Sequence, residues 1–475
     1  MHIYLDNIGI IQDSTVEIKG LTVITGENNS GKTTVGKAVY SLVDGVSDLQ
    51  QRSIIDKYNY AIKKLEDAKN TFPYYLVMSL KRGAANIQNE CLRIFFRQDY
   101  RESIQLMKIE EYLVDLLHEL DKLDIEEEPY CNIIDKRMMV WGMQREKAFE
   151  NFEERKRDVI SIVADTLHCI INDPELINYT KQSINATLST EFYGQIQPAA
   201  LDNIISKIDM YDERQKYFDV SIENNEISDT EDIVFWNTPY KRVFFIDNPF
   251  VLDEPIYFKA TKYTTTHHSF VDEGSIVTHG NKLKRVLQFS PEKSVFEEGI
   301  LNERYKKIQE KLDDILPGKF NVEDGERYYV RNGVKLKASN LATGTKVFSI
   351  LKILLEKGLI DEDTLLILDE PESHMHPMWQ NVFVEIIALL IKELGCHVLL
   401  TTHSSQFVLA IDAYMRKYEI TDMCNFYQTK HIDDGMFVKY KCVNDSMNLI
   451  YNDFVSHLSD VKILRDMLIH IKMKD

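Results

Sequence analysis

Residues 21–33 of the chain read LTVITGENNSGKT. The five residues Leu21–Thr25 are apolar or β-branched and predict a buried strand, and the segment Lys32–Val43 predicts a helix. Between them, the loop Gly26–Thr33 matches the pattern G-x-x-x-x-G-K-[ST] at every fixed position. Its glycines let main-chain N–H groups turn inward, and the helix adds the positive end of its dipole, which suits phosphate. A strand, loop and helix in this order predict an α/β fold.

We interpret this loop as a site for ATP and Mg²⁺. Lys32 is expected to reach the β- and γ-phosphates, and the Thr33 hydroxyl is expected to ligate the metal. The alternative is a glycine turn followed by an ordinary helix cap. The strand before the loop and the helix after it favour the nucleotide site. The residues expected to contact the nucleotide are Gly26, Glu27, Asn28, Asn29, Ser30, Gly31, Lys32, Thr33 and Thr34.

A second buried strand, Thr364–Leu368, runs directly into Asp369 and Glu370. Asp369 is expected to hold Mg²⁺ through water, and Glu370 is expected to polarise the attacking water as a general base. A competing acidic region contains Val243–Asp247 and the later segment Asp253–Pro255. No five-residue buried strand runs straight into an Asp-Glu pair there, and we interpret that region as structural.

The segment Asn340–Lys346 lies upstream of the acidic strand and opens a predicted helix. Here the sequence resembles the ABC ATPases, whose signature loop occupies the same place. The resemblance implies that Leu341, Thr343 and Gly344 contact the γ-phosphate of ATP bound to a second subunit, through the helix N-terminus. Ala342 stands where the family often has serine, so one hydroxyl contact is missing. Taken alone, the segment is also compatible with a plain helix cap.

A further buried strand is predicted at His397–Thr401, and His403 follows it. The same resemblance implies that His403 is the switch histidine, which donates to the γ-phosphate or orders the attacking water. One helix and one strand separate it from Glu370, which places both side chains on adjacent strand ends. The intervening segment Glu372–Pro377 is similar to the D-loop and is expected to pack between subunits. Its two histidines have no further ligand at a spacing suited to a metal, and no segment is assigned to the family's glutamine loop.

Two phrases, LDEPESHMHP at 368–377 and TTHS at 401–404, are similar to those of OLD-type AAA ATPases. That group includes the ATPase subunits of the prokaryotic antiphage systems PARIS and Septu. OLD nucleases carry a C-terminal TOPRIM domain, for which residues 404–475, predicted as a hairpin and a terminal helix, leave no room. The resemblance implies a slow, Mg-dependent ATPase that acts as sensor or scaffold beside a separate effector nuclease. It also implies a homo-oligomer, a dimer or a multiple of dimers, formed through the nucleotide sites.

Two other functions stay open from the sequence. One is a DNA-repair ATPase of SMC type that grips DNA directly, and the other is a nucleotide-dependent assembly platform with negligible turnover. The formal net charge of −19 argues against a broad nucleic-acid surface, because neutralising phosphates supplies most of that affinity. A local basic groove is still compatible with this charge, so direct DNA binding is not decided.

Composition and periodicity also predict the organisation of the chain. With 475 residues, 44% of them hydrophobic, it is expected to be a globular protein of two or three domains. Together with these patterns, the resemblance to the ABC ATPases implies an ABC-type P-loop NTPase head with a mixed sheet, formed by residues 1–46 and 236–475 and interrupted by a helical insertion at 47–235. Segments 104–123 and 147–171 have the strongest helical patterns of the insertion. Their irregular heptads argue against a long coiled-coil arm.

Compartment and membrane contact can also be estimated from the composition. No run approaches the roughly 18 apolar residues that a membrane span requires, and we expect no secretory signal at the N-terminus. The six cysteines form no C-x-x-C pair, so neither a disulfide framework nor a structural zinc site is expected. These features predict a cytoplasmic protein without membrane contact.

Overall fold

The structure is a computed structural model. It describes residues 1–47, 49, 57, 60–65, 67, 102–122, 145–171, 176–201, 203–229, 239–253, 278–288, 295–323, 326–447 and 450. The chain forms two compact units. The first contains residues 1–47, 181–264 and 276–475, and the second contains residues 48–180 and 265–275.

A six-stranded mixed sheet forms the centre of the first unit. Its strand order is β14-β13-β3-β12-β11-β7, and every neighbouring pair is parallel except β13 with β14. The prediction of an α/β head with a mixed sheet is therefore confirmed. The strands are β3 (Leu21–Thr25), β7 (Arg242–Ile246), β11 (Thr364–Asp369), β12 (His397–Thr402), β13 (Cys424–Ile432) and β14 (Phe437–Cys442).

The parallel strands of this sheet have apolar residues at consecutive positions, which is the pattern of strands buried on both faces. Helices accordingly cover both faces of the sheet. Leu366 belongs to a hydrophobic core shared with five helices. Ile367 points to the opposite face, where its side chain contacts Gly36 of α1 (Lys32–Val46). The five helices that contribute to the core around Leu366 are α5 (His279–Gln288), α6 (Val295–Ile315), α7 (Thr343–Glu356), α8 (Pro377–Leu394) and α9 (Ser405–Lys417).

The other two sheets of the first unit are antiparallel. One has the order β2-β1-β4-β5-β6 and the other the order β10-β9-β8. The five-stranded sheet contains β1 (His2–Asp6), β2 (Ser14–Glu17), β4 (Ser206–Tyr211), β5 (Lys216–Glu223) and β6 (Glu226–Asp229). The three-stranded sheet contains β8 (Lys319–Glu323), β9 (Glu326–Arg331) and β10 (Val334–Lys337).

Strands β4 to β6 correct the prediction that the helical insertion extends to residue 235. Ile208 and Met210 are buried and pair with Leu5 and Ile3 of β1. Residues 181–264 belong to the first unit. The sequence does not predict this sheet because its strands are short and β4 pairs with β1, which is distant in the sequence.

The second unit contains the two helices that have the strongest sequence signal. They are α2 (Glu102–Asp121) and α3 (Arg145–Ile171), within two residues of the predicted bounds. They pack together through buried leucines and valines such as Leu116 and Val163. Of two further helices, α4 (Leu176–Glu191) lies mostly in the first unit and α5 (His279–Gln288) lies entirely in it. The predicted terminal helix lies outside the described residues.

None of the helices in the described part of the chain combines the length and the apolar character that crossing a bilayer needs.

Candidate nucleotide site

The carboxyl ends of the parallel strands meet at one edge of the six-stranded sheet, the edge where open α/β sheets bind ligands. Asp369 of β11 pairs with Thr401 of β12, which in turn pairs with Ile24 of β3. On the other side of β11, Leu368 pairs with Ile246 at the end of β7. The segments that follow β3, β7, β11 and β12 therefore leave the sheet at the same edge.

The loop between β3 and α1 is shaped by its own side chains and by β13. Gly31 has a φ of 73° and precedes the first turn of α1. Ser30 Oγ donates to a loop carbonyl over 2.8 Å and accepts from Thr429 Oγ1 over 2.9 Å. A Cβ at Gly26 would lie 1.8 Å from Thr429 Oγ1, so no residue but glycine fits there. Both fixed glycines of the motif are thus explained, Gly31 by its backbone conformation and Gly26 by the close approach of Thr429.

Lys32 places its ammonium group inside this loop. The side chain is 5% exposed, and Nζ donates to the carbonyls of Gly26 at 3.1 Å and Glu27 at 2.7 Å. Its Nζ also lies 3.3 Å from Oε1 of Glu370. Glu27 to Asn29 are exposed at the rim of the loop, and Thr34 belongs to the first turn of α1. The structure therefore brings a buried cation to the phosphate-binding motif and next to the candidate general base.

Asp369 is held by two hydroxyl groups. Thr33 Oγ1 donates to its Oδ2 over 2.8 Å, and Thr401 Oγ1 donates to its Oδ1. Burial raises the pKa of the Asp369 carboxyl, the hydrogen bonds from Thr401 and Thr33 oppose this, and the charges of Glu370 and Asp247 add to it. A carboxylate beside a hydroxyl is a set of hard oxygen donors, which is what Mg²⁺ prefers. The residues present therefore fit a magnesium ion.

Glu370 is the first residue after β11 and has a strained backbone. Its φ of 47° and ψ of 49° lie in the left-handed region, which is uncommon for a residue with a side chain. The surrounding contacts hold it there, since its N–H donates to the Thr401 carbonyl over 3.1 Å. Its Oε2 lies 3.1 Å from Nδ1 of His403. The carboxylate of Glu370, the candidate general base, thus lies between the Lys32 cation and the His403 imidazole.

Asp247 follows β7 and adds a carboxylate to this edge of the sheet. In the sequence it belongs to the competing acidic region, which we interpret as structural. Its Oδ2 lies 3.0 Å from Nε2 of His279, and Nδ1 of that ring lies 2.5 Å from Oε2 of Glu191. The ring also stacks on Phe245, with 4.4 Å between centroids. Burial lowers the pKa of His279, but hydrogen bonds to Asp247 and Glu191 outweigh it and raise the pKa to about 9. Asp247 is therefore an ionised group whose charge reaches Asp369.

Asp253, in the rest of the competing acidic region, contacts helix α7, unlike Asp247, which lies at the edge of the sheet. Lys346, on α7, is buried and its Nζ lies 2.6 Å from Oδ2 of Asp253. This ion pair connects α7 to the short 3-10 helix Pro249–Leu252, so that Asp253 has a structural contact, in line with its interpretation from the sequence. Glu254 and Pro255 lie outside the described residues.

The candidate signature loop lies against a different part of the chain from the phosphate-binding loop. Helix α7 begins at Thr343, with Ala342 as its N-cap and no side-chain cap. A Cβ at Gly344 would lie 2.8 Å from the carbonyl oxygen of His374. Within the described part of the chain, no hydrogen bond or ion pair is found between residues 341–345 and residues 26–34. The expectation that Leu341, Thr343 and Gly344 serve a second subunit stays a prediction.

The two histidines of the segment 371–376 have separate contacts. His374 meets the ring of Phe250 edge-on, with 6.2 Å between centroids. His376 is the N-cap of α8, and its Nδ1 accepts from the N–H of Met378 over 3.3 Å. Among the residues that the structure describes, no group of three or more His, Cys, Asp or Glu side chains is placed to hold a metal ion.

Four residues of this edge have no individual role predicted from the sequence, although Thr401 and Thr402 belong to the phrase at 401–404. Thr401 and Thr402 end a buried strand, where a threonine is an ordinary strand residue. Thr429 lies on β13, 399 positions from Ser30 of the phosphate-binding loop. Asp247 belongs to the competing acidic region. Only the pairing of β3 with β12 and β13 and of β11 with β7 brings these side chains to the site.

A phosphate-binding loop between a buried strand and a helix, beside an acidic strand end, defines the class of P-loop ATPases. The chain belongs to the AAA ATPase domain family, whose sequence profile matches residues 1–408. It is also 25% identical over 119 residues to the zinc import ATP-binding protein ZnuC of Wigglesworthia glossinidia brevipalpis. That match covers 25% of this chain and 50% of the relative, so the chain spans about half the length of the curated relative it matches.

Solved structures of SMC heads are similar at a low level. The SMC head domain from Thermotoga maritima has a TM-score of 0.34 at 9% identity, covering 93% of this chain and 98% of that one. An SMC head bound to the C-terminal winged-helix domain of ScpA has a TM-score of 0.37 at 10% identity, covering 94% and 98%.

Proposed function

We propose that this ATPase binds ATP with Mg²⁺ at the edge of its six-stranded sheet and hydrolyses the γ-phosphate bond there. The observation that carries this is the position of the Glu370 carboxylate, 3.3 Å from Lys32 Nζ and 3.1 Å from His403 Nδ1. A base held between a phosphate-binding cation and an imidazole is suited to a water molecule that attacks phosphorus.

Each residue has a task that follows from its chemistry. Lys32 compensates the charge of the β- and γ-phosphates, and the main chain of Gly26–Thr34 binds their oxygens. Thr33 and Asp369 would hold Mg²⁺, which would supply positive charge to neutralise the phosphates. Glu370 takes the proton of the attacking water, and His403 orients that water or donates to the γ-phosphate.

We further propose that two subunits complete each site. The amino-terminal end of α7 has no side-chain cap, so its N–H groups and dipole are suited to an anion. Leu341, Thr343 and Gly344 would close over the γ-phosphate of the second subunit's ATP. With alanine at position 342 the contact relies mainly on main-chain groups, which suits a long-lived assembly with slow turnover.

At the level of the cell, we propose a sensor or scaffold subunit of an antiphage defence system whose effector nuclease is a separate protein. The support is the similarity of the phrases at 368–377 and 401–404 to OLD-type ATPases. If a nuclease gene lies beside this gene, phage plating should be reduced only when both genes are present, and the Lys32→Ala variant should restore plating. Salt-dependent DNA binding by the purified protein without any effect on plating would instead favour the SMC-like alternative.

The ATPase proposal itself is tested by phosphate release and ATP binding. Lys32→Ala should abolish tight ATP binding, because the loop main chain alone leaves the phosphate charge poorly compensated. Lys37→Ala is the matched control, since Lys37 lies on the same helix with its Nζ over the rings of Phe192 and Tyr193. A folded Lys32→Ala protein that still binds ATP tightly would remove the basis of the assignment.

A further inference from the structure

Glu372 has a buried carboxylate close to the site, and this carboxylate takes no direct part in the proposed reaction. The residue is 3% exposed and lies on the short 3-10 helix Pro371–His374, for which Glu370 is the N-cap. Its Oε1 accepts a hydrogen bond from Thr402 Oγ1. Its Oε2 has no hydrogen-bond partner among the described residues. Such a group costs stability, and its presence therefore needs an explanation other than packing.

Thr402 connects this carboxylate to the segment that carries His403. Its side chain is fully buried, and its Oγ1 accepts from the N–H of Ser404 over 3.0 Å. Ser404 in turn accepts from the N–H of Phe407 over 3.2 Å and is the N-cap of α9. The residues on both sides of His403 are therefore fixed by one hydroxyl group, whereas the His403 side chain itself is 44% exposed.

The same hydrogen bond connects the two catalytic segments to each other. Glu370 N–H and the Glu372 side chain are both bound to the end of β12, through Thr401 and Thr402. Burial raises the pKa of Glu372, an effect that the hydrogen bond from Thr402 and the charge of His403 oppose. If the segment 370–376 shifts, either the hydrogen bond between Thr402 and Glu372 breaks or the backbone at His403 moves with the segment.

We propose that Glu372 and Thr402 are positioning residues that set the place of His403 and transmit to it the conformation of the 370–376 segment. This inference rests on the proposed ATP hydrolysis. Neither side chain touches the reacting atoms. Their effect is on the orientation of His403, for which a displacement of about 1 Å can cost up to roughly a hundredfold in rate.

The structure offers a closely matched pair of variants. Thr364 is also a fully buried threonine, at the opposite end of β11, and its Oγ1 donates to Oδ1 of Asp361 over 2.9 Å and accepts from the N–H of Asp361 over 3.1 Å. Thr402→Val and Thr364→Val thus remove the same chemistry at the two ends of the sheet. Both variants are assayed well below their own melting temperatures.

Thr402→Val should lower kcat about 10- to 100-fold and leave KM and the Kd for ATP within about twofold of wild type, because the phosphate-binding loop is untouched. Thr364→Val should keep kcat, and Thr402→Ser should restore it. Glu372→Met, which removes both acceptors, should lower kcat as Thr402→Val does, whereas Glu372→Gln keeps an acceptor and should retain most of the rate. An unchanged kcat in Thr402→Val, or an equal loss in Thr364→Val, would overturn the proposal.

A second measurement separates this inference from the ATPase proposal. Amide hydrogen exchange of the peptide covering residues 402–407 should be faster in Thr402→Val than in wild type, since the Ser404 N–H loses its acceptor. Thr364→Val should leave this peptide unchanged. Faster exchange without any ATP turnover in wild type would contradict the proposed reaction but keep the positional link, and unchanged exchange would refute the link itself.

Discussion

The hydroxyl of Thr33 donates to Oδ2 of Asp369 over 2.8 Å, although 336 positions separate the two residues in the sequence. One belongs to the first turn of α1 and the other to the last position of β11. The contact therefore joins the two motifs that were predicted independently to hold Mg²⁺. It gives that prediction a direct test.

Thr33→Val should remove the magnesium dependence of ATP binding. The valine has nearly the same shape but no oxygen donor, and Mg²⁺ requires oxygen ligands. We expect the Kd for ATP to be the same with Mg²⁺ and with EDTA in this variant, whereas wild type should bind more tightly with Mg²⁺. Isothermal titration calorimetry measures both, and Thr33→Ser, which keeps the hydroxyl, should behave as wild type does.

Glu370→Gln should keep ATP bound but lower its hydrolysis by about 10²- to 10⁴-fold. The amide cannot accept the proton of the attacking water, while Lys32 and the loop that bind the phosphates are unchanged. Single-turnover hydrolysis and filter binding separate the two effects. Glu254→Gln is the control from the competing acidic region and should leave turnover largely intact. The reverse result would mean that the wrong acidic strand had been chosen.

The sequence predicted those parts of the fold and the site whose signal is local. The loop Gly26–Thr33 and the strand before Asp369 each contain their own pattern of apolar, glycine and charged residues. The structure confirms the strands and helices on either side of them, with bounds that differ by only a few residues. The proximity of Lys32, Glu370 and His403 also agrees with the expected order of parallel strands.

Other parts could not be predicted, because they depend on partners that are distant in sequence. Position 26 requires glycine because Thr429 lies against it, and Asp247 is held by His279, whose other ring nitrogen contacts Glu191. No local pattern links these residues. The strands at 206–229 were assigned to the helical insertion for the same reason, since their pairing partner is β1 at the other end of the unit.

The structure identifies position 342, rather than position 344, as the better place for a variant that tests the two-subunit arrangement. Gly344→Arg would meet the carbonyl of His374 in its own chain, where even a Cβ lies 2.8 Å away. Ala342 is exposed and precedes α7, so Ala342→Arg disturbs a neighbour without straining the subunit. Light scattering should show Glu370→Gln as a dimer with Mg-ATP and as a smaller species without it. Adding Ala342→Arg should prevent that dimer, and an ATP-bound monomer of Glu370→Gln alone would contradict the arrangement.

The contact of His279 with two carboxylates predicts a pH-dependent part of the stability. Its pKa is raised from 6.5 to about 9, so the contribution is fully present below pH 6.5 and is lost as the pH rises through 9. A rise of this size corresponds to roughly 3 kcal/mol. The difference in the free energy of unfolding between wild type and His279→Gln should therefore shrink between about pH 6.5 and pH 9.5.

His397 supplies the opposite case for comparison. Burial lowers its pKa, so that its neutral form is favoured in the folded state and protonation opposes folding. Relative to wild type, His397→Gln should gain stability as the pH falls through the ordinary range of histidine. The same pH trend in both variants would show that these two environments have been assigned the wrong signs.

The place of β3 in the sheet has a consequence for the order in which the protein can be made. β3 (Leu21–Thr25) lies between β12 (His397–Thr402) and β13 (Cys424–Ile432). During synthesis at about 5–20 residues per second, the strand that leads into the phosphate-binding loop leaves the ribosome early. Both of its neighbours are still untranslated for most of that time. The nascent chain therefore carries an apolar strand with two open edges, and the nucleotide site cannot exist until translation has passed β13.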